Sequence, residues 1–256
     1  MTAVLLNPKP FTSLGGNESA TAPVANMRQD EPGMVWRSSN LTSVYFKVQL
    51  DGSEWDTFAL VNSNLRATDT IRIRAGSTSA IVDGTSSLTV DQTLNAWSGV
   101  APTNGALSFK LLGASVTSPF VRIDITSAGN PAGYVQAQRC VIGKRVTTDG
   151  VAVGAELSFV DMSSVEDGLG YTTVDRYGVK IGWKVTLEAI TDALFYTNWF
   201  PFLRDVGKSK AFVFIPDDSV PYVQTTAIFG RVTSDAKGTS PIADYNNVEI
   251  NILSTS

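Results

Sequence analysis

The sequence predicts a mainly β protein in two parts: an N-terminal β-sandwich and a C-terminal antiparallel β-domain carrying one helix. Three observations predict it. Apolar residues recur at every second position in five separate segments. Asp-Gly and Asn-Gly dipeptides punctuate the chain, at 51–52, 83–84, 104–105, 149–150 and 167–168, as tight turns between strands require. One stretch alone switches to helical spacing.

Taken in order, residues 1–24, with LNPKPFTSLGGNESATAP, hold few apolar residues in any period. They predict an extended arm, disordered alone or ordered by lying on a neighbour. The sandwich is expected over 25–147. There Val44, Phe46, Val48 and Leu50 alternate with Tyr45, Lys47 and Gln49, Ile71 and Ile73 flank Arg72, and Val121, Ile123 and Ile125 alternate with Arg122, Asp124 and Thr126. Each series gives a sheet one apolar and one polar face. Residues 77–118, rich in Ser, Thr and Gly with Leu88, Val90 and Leu94, predict either two strands or a long excursion.

A boundary is expected where GKRVTTDG follows the strand YVQAQRCVI, and a second unit over 148–256. Its longest series is Val179, Ile181, Trp183, Val185 and Leu187, and Val248, Ile250 and Ile252 alternate near the end. The helical stretch is TDALFYTNWFPFLRDVGK, 191–208. Phe195, Trp199, Phe202 and Val206 form one stripe, Thr191 is the expected N-cap and Gly207 the residue beyond the end. Pro201 lacks an N–H, so a kinked or two-piece helix is expected. Its stripe either packs on a sheet or faces a partner.

Composition narrows the chemistry. There is no histidine, which removes Ser-His-Asp and Cys-His catalysis, zinc-histidine sites and a neutral-pH proton shuttle. The single cysteine, Cys140, cannot pair within the chain and is expected to be inert and partly buried. With net charge −4 and scattered Lys and Arg, the chain has no stripe to neutralise phosphates, so no nucleic-acid partner is expected. The longest apolar runs, such as AFVFI at 211–215, are far short of the roughly 20 residues a membrane helix needs, so no membrane insertion is expected. No basic region precedes the short apolar patch of the N-terminus, so synthesis in a cytoplasm is expected.

Residues 26–75 resemble the front half of discoidin-like, galactose-binding-type jelly rolls. The correspondence runs through Trp36, YFKVQL at 45–50, TFALVNSNL at 57–65 and TIRIRAG at 70–76, with closing strands PFVRIDIT at 119–126 and YVQAQRCVIGKRV at 134–146. The same opening followed by YGVKIGWKVTLEAI, a helix, KSKAFVFIPDD and TTAIFGRVTSD is similar to minor-tail and distal-tail ring proteins of tailed bacteriophages. Distal-tail proteins usually begin with the ring module, whereas here the jelly-roll half comes first. The resemblance implies a structural virion protein of a tail tip or baseplate. It would assemble as a homo-oligomeric ring, hexameric by that likeness, and dock tail-tube and tail-tip proteins without catalysis or a cofactor.

The candidate site residues follow from both readings. Phe195, Trp199 and Phe202 are candidate assembly residues. Trp55, beside Glu54 and Asp56, and Trp97 lie in loop-like sequence, where an exposed indole marks a glycan or protein contact and a buried one marks structure. Trp36 and Arg37 present the same choice, Trp36 by the discoidin-like comparison being a plug beneath the loops, and Arg37 a donor to sugar hydroxyls. A carbohydrate-binding module contacting host surface glycans is therefore the alternative function. Asp30-Glu31 and Asp217-Asp218 read as solvated turns more readily than as metal ligands, and Gly15-Gly16 precedes no strand-turn-helix unit that could hold phosphate. No metal site is expected.

Overall fold

The computed structural model describes residues 3–103, 105–148, 155–219 and 221–255. In chain order its strands are β1 (Ala3–Leu6), β2 (Thr12–Gly16), β3 (Trp36–Arg37), β4 (Val44–Gln49), β5 (Trp55–Ser63), β6 (Thr70–Gly76) and β7 (Val90–Asn95). There follow β8 (Ala106–Val116), β9 (Phe120–Thr126), β10 (Gln136–Ala137), β11 (Arg139–Gly143), β12 (Arg145–Thr148), β13 (Glu156–Asp161) and β14 (Ser164–Gly168). The remainder are β15 (Tyr171–Asp175), β16 (Val179–Thr191), β17 (Phe212–Ile215), β18 (Ile228–Val232), β19 (Lys237–Ile242) and β20 (Tyr245–Ser254). The protein is mainly β, as predicted.

The first half is a sandwich. A five-stranded sheet, β2-β4-β9-β6-β7, faces a three-stranded sheet, β11-β5-β8. The period-two series supply the core between them: Val44, Phe46 and Val48, Ile71 and Ile73, and Val121, Ile123 and Ile125 all point inward to Phe58, Leu60 and Ile142. Their polar alternates form a cross-strand ion network on the outer face, Lys47 and Arg122 with Asp83, and Arg74 and Arg122 with Asp124. Gly16 sits in β2 because a Cβ there would meet the Tyr45 carbonyl at 2.3 Å. The 77–118 segment resolves into two strands, β7 and β8, and a short helix, Ser79–Asp83.

The second sheet runs β12-β1-β17-β18-β20-β16-β13, with β19 on β20. Residues 3–6, expected within an extended arm, form β1 in its interior, paired antiparallel to β12 on one side and β17 on the other. Residues 12–16 pair with β4 of the sandwich. Both pieces of this segment are therefore held by the chain itself.

A third core joins the two halves. Ala59 and Val61 of β5 and Val141 of β11 turn away from the sandwich core and pack on Val4, Leu6, Val213, Ile215 and Phe229 of the second sheet. The adjacent residues face the other way: Leu5, Phe212 and Phe214 enter the core beneath the helix. Strands buried on both faces need unbroken apolar sequence, which is why AVLL, TFALV and FVFI do not alternate.

Helical structure runs without a break from 192 to 206, as Asp192–Leu194, a π turn at Phe195–Trp199, and Phe200–Val206. In the π turn the Phe200 N–H donates to the Phe195 carbonyl, five residues back. This wider turn just before Pro201 accommodates the missing N–H, so where a kinked or two-piece helix was expected the run is continuous through a π turn. The Thr191 side chain accepts from the Leu194 N–H and Gly207 takes φ +50°, the expected ends. Of the turn dipeptides, Asp51-Gly52 arches from one sandwich sheet to the other instead of closing a hairpin, and Asp83-Gly84 ends the short helix. Asp149-Gly150 and Asn104 lie outside the described residues.

Candidate functional site

The residues first considered for ligand contact are covered to different degrees. Trp55 is 0% exposed, and its Nε1 donates to the Ser118 carbonyl at 3.1 Å. Trp97 is half-buried against the sandwich core, with Nε1 donating to the Leu65 carbonyl. Trp55 therefore has no free face for a sugar, while Trp97 keeps part of its surface exposed with its N–H engaged. Arg37 lies half-buried on β3, where Nε and Nη2 both donate to Gln136 Oε1 and the guanidinium sits 4.3 Å over the Tyr134 ring. Trp36 is fully buried, edge-on to Phe46 at 5.1 Å, as a plug should be.

The candidate assembly residues divide. Trp199 and Phe202 belong to the protein's own core, Phe202 edge-on to Phe212 at 5.4 Å, and so cannot reach a neighbour. Phe195 is half-buried and lines an open groove of about 580 Å³. The groove runs between the helix and the segment following β18. Tyr196, Phe200 and Leu203 form one wall, Val206 and Val232 lie at its base, and Ala236 and Gly238 form the other side. Arg204 stands at its rim without an ion pair among the described residues, and Lys208 pairs with Asp235 at 2.6 Å.

The largest exposed apolar surface lies elsewhere. β13 pairs with the first half of β16, and beyond Asp161 and Val179 the same two chain segments continue as the hairpin β14–β15. Ser163 bridges the join: its hydroxyl accepts from the Tyr177 N–H at 3.0 Å. Every residue from 156 to 177 is exposed except the partly covered Ser163. Of eighteen exposed large apolar residues among the described residues, ten lie from Leu157 to Val179, including Phe159 at 69% and Leu169 at 103%. The turn residues are Leu169-Gly170, with Gly170 at φ +89°, so the leucine occupies the apex; the Asp167-Gly168 signal fell two residues early. An isolated two-stranded hairpin is marginal in water, and apolar patches beyond a few hundred Å² mark interaction sites.

A second, polar pocket lies where the two halves meet, around Asp30. Asp30 accepts from Arg139 Nε at 3.1 Å and the Ala211 N–H at 3.2 Å, and faces Arg231 at 3.8 Å. Burial lowers the Arg139 pKa, and Asp30 partly restores it. These charges close a structural seam. Burial pushes the Cys140 thiol up to about 12, leaving it protonated and unreactive. Among the described residues no three metal-ligating side chains converge, and no helix is long and apolar enough to cross a membrane.

The exposed ribbon 156–179 was not among the residues singled out in the sequence. Leu157 and Phe159 alternate as a strand should, and nothing in such alternation separates a strand that packs within the chain from one that packs on another. No protein-family profile and no curated protein sequence matches the chain. Among solved structures it is similar to CBM32-1 from a family 31 glycoside hydrolase of Clostridium perfringens, with a TM-score of 0.37 and 8% identity over 54% of this chain and 96% of that one.

Proposed function

We propose that this chain is a structural assembly protein, and specifically a virion component of a phage tail tip or baseplate of the minor-tail or distal-tail type. The observation that carries the assembly reading is the ribbon 156–179. It presents exposed apolar side chains along β13 and the hairpin β14–β15, and β14 and β15 pair only with each other among the described residues. Folding alone gives such a segment little stability; burial against another subunit supplies it. The phage assignment rests on the sequence resemblance of the second unit to ring-forming tail modules, from which six copies and docking to tail-tube and tail-tip proteins follow. Under this reading the protein works without catalysis, is made in the host cytoplasm and resides in the tail.

The test is sedimentation velocity with electron microscopy of the purified protein, beside a variant in which 162–178 is replaced by a short turn. Rings or higher oligomers are expected for the full chain and monomers for the variant. A full-length chain that stays monomeric at every concentration overturns the proposal. The glycan-binding alternative stands behind it, because Trp55 is enclosed in the core and Trp97 is half-buried.

A further inference from the structure

The ribbon tip and the helix-side groove are complementary surfaces at opposite ends of the protein. β16 connects them: the hairpin joins it at Val179 and the helix leaves it at Thr191. Its 13 residues span roughly 40 Å at about 3.3 Å each, and the hairpin extends the far end by roughly 25 Å more. The tip of one copy therefore cannot fold back to its own groove.

The chemistry of the two surfaces matches. The tip presents Leu169 at its apex and Tyr171 beside it, both exposed. Residues 164–175 carry Glu166, Asp167 and Asp175 and no Lys or Arg. The groove is walled by Phe195, Phe200 and Leu203, and its rim carries the Lys208–Asp235 pair and Arg204, which has no ion pair among the described residues. Apolar fits apolar, and an acidic collar meets the Arg204 guanidinium.

We propose that Leu169 and Tyr171 of one copy seat in the groove between the helix and the segment after β18 of a second copy, with Glu166 and Asp167 against Arg204. This rests on the assembly reading above and names its contact. Because a surface at one end meets a different surface at the other, the contact is head-to-tail, the class that closes into rings or runs on as filaments.

Two experiments test it. The first mixes the single variants Leu169→Cys and Ala236→Cys under mild copper-phenanthroline oxidation; Cys140 is buried and stays out of the reaction. An interchain disulfide is expected in the mixture and in neither variant alone. The second is charge reversal. Arg204→Glu is expected to weaken self-association at least tenfold, and adding Glu166→Arg to the same chain to restore it. Both positions are exposed, so the unfolding of the dissociated monomer, measured at low concentration, should be unchanged. Oligomers that form without the 169–236 disulfide and ignore Arg204→Glu overturn the groove contact while leaving assembly standing. A protein monomeric at all concentrations overturns both.

Discussion

Trp55→Ala separates a core tryptophan from a binding platform by magnitude. The indole is completely enclosed in the sandwich core, and its N–H satisfies the carbonyl of Ser118, itself a buried residue. Truncation removes the transfer free energy of the ring and leaves a cavity, a change that costs about 3–5 kcal/mol at buried Trp or Phe. The orphaned Ser118 carbonyl adds roughly 1–3 kcal/mol where water cannot reach it. A total of roughly 4–8 kcal/mol is a large part of the 5–15 kcal/mol typical of a folded protein. Trp55→Phe keeps most of the packing and loses the hydrogen bond, so roughly 1–3 kcal/mol is expected. Urea unfolding by circular dichroism, at one fixed protein concentration, should rank the midpoints native above Phe above Ala. A Trp55→Ala protein within about 0.5 kcal/mol of native that has lost binding on a glycan array would refute the burial argument and revive the carbohydrate-binding reading.

Other consequences follow from the same structure. Phe159→Ser with Val165→Thr removes exposed apolar surface, so monomer stability should change by less than about 0.5 kcal/mol while the self-association constant falls at least tenfold by analytical ultracentrifugation. Cys140 should resist thiol reagents until the chain unfolds. Its folded pKa of about 12 lies above the unfolded value, so stability is full below about pH 8.5 and declines as alkali ionises only the unfolded thiol. At acid pH the sign reverses. Burial disfavours ionisation of Asp69 and Asp83, but hydrogen bonds from Arg66 and Ser127 to the first, and from Arg122 and Lys47 to the second, outweigh it and hold both below the ordinary carboxylate range. Their contribution is present above about pH 4 and lost as pH falls through the folded values, while the absence of histidine should leave Tm flat from pH 6 to 8.

What the sequence disclosed is what local period can carry. The alternation of β4, β6, β9, β16 and β20 named the strands and, except for the exposed Val179 and half-buried Ile181 and Trp183 of β16, their inward residues, because a sheet with one wet face forces that pattern. Thr191 and Gly207 ended the helix as expected, since caps act through neighbouring backbone groups. The third core was illegible for the opposite reason. TFALV and FVFI are buried on both faces, and an unbroken apolar run does not say which sheets lie above and below it. Trp55 failed similarly: Glu54 and Asp56 beside it gave it the look of a loop, yet the indole turns inward from a strand while the Glu54 side chain reaches Lys144 at 2.5 Å. The ribbon was hidden because a lone strand and a packed one read alike.

The first residues supply the sharpest contrast between a local and a tertiary reading. By composition residues 1–24 are an arm, and an arm that lies on a neighbour is dispensable to its own subunit. In the fold, Ala3, Val4, Leu5 and Leu6 are all 0% exposed. Val4 and Leu6 fill the seam against the sandwich, and Leu5 fills the core beneath the helix. Burial of three such aliphatic side chains stabilises by about 5–9 kcal/mol at 1.5–3 kcal/mol each. Removing them also strips β12 of its partner strand and β17 of one of its two. Deletion of residues 2–6 should therefore lower the urea midpoint steeply or prevent folding, even in a variant made monomeric by removal of the ribbon. Leu5→Ala, at about 2–5 kcal/mol, should reproduce part of that loss in a chain that still folds. If the deletion left the monomer's midpoint unchanged, β1 would not be part of the subunit's own core, and the segment would be an arm after all.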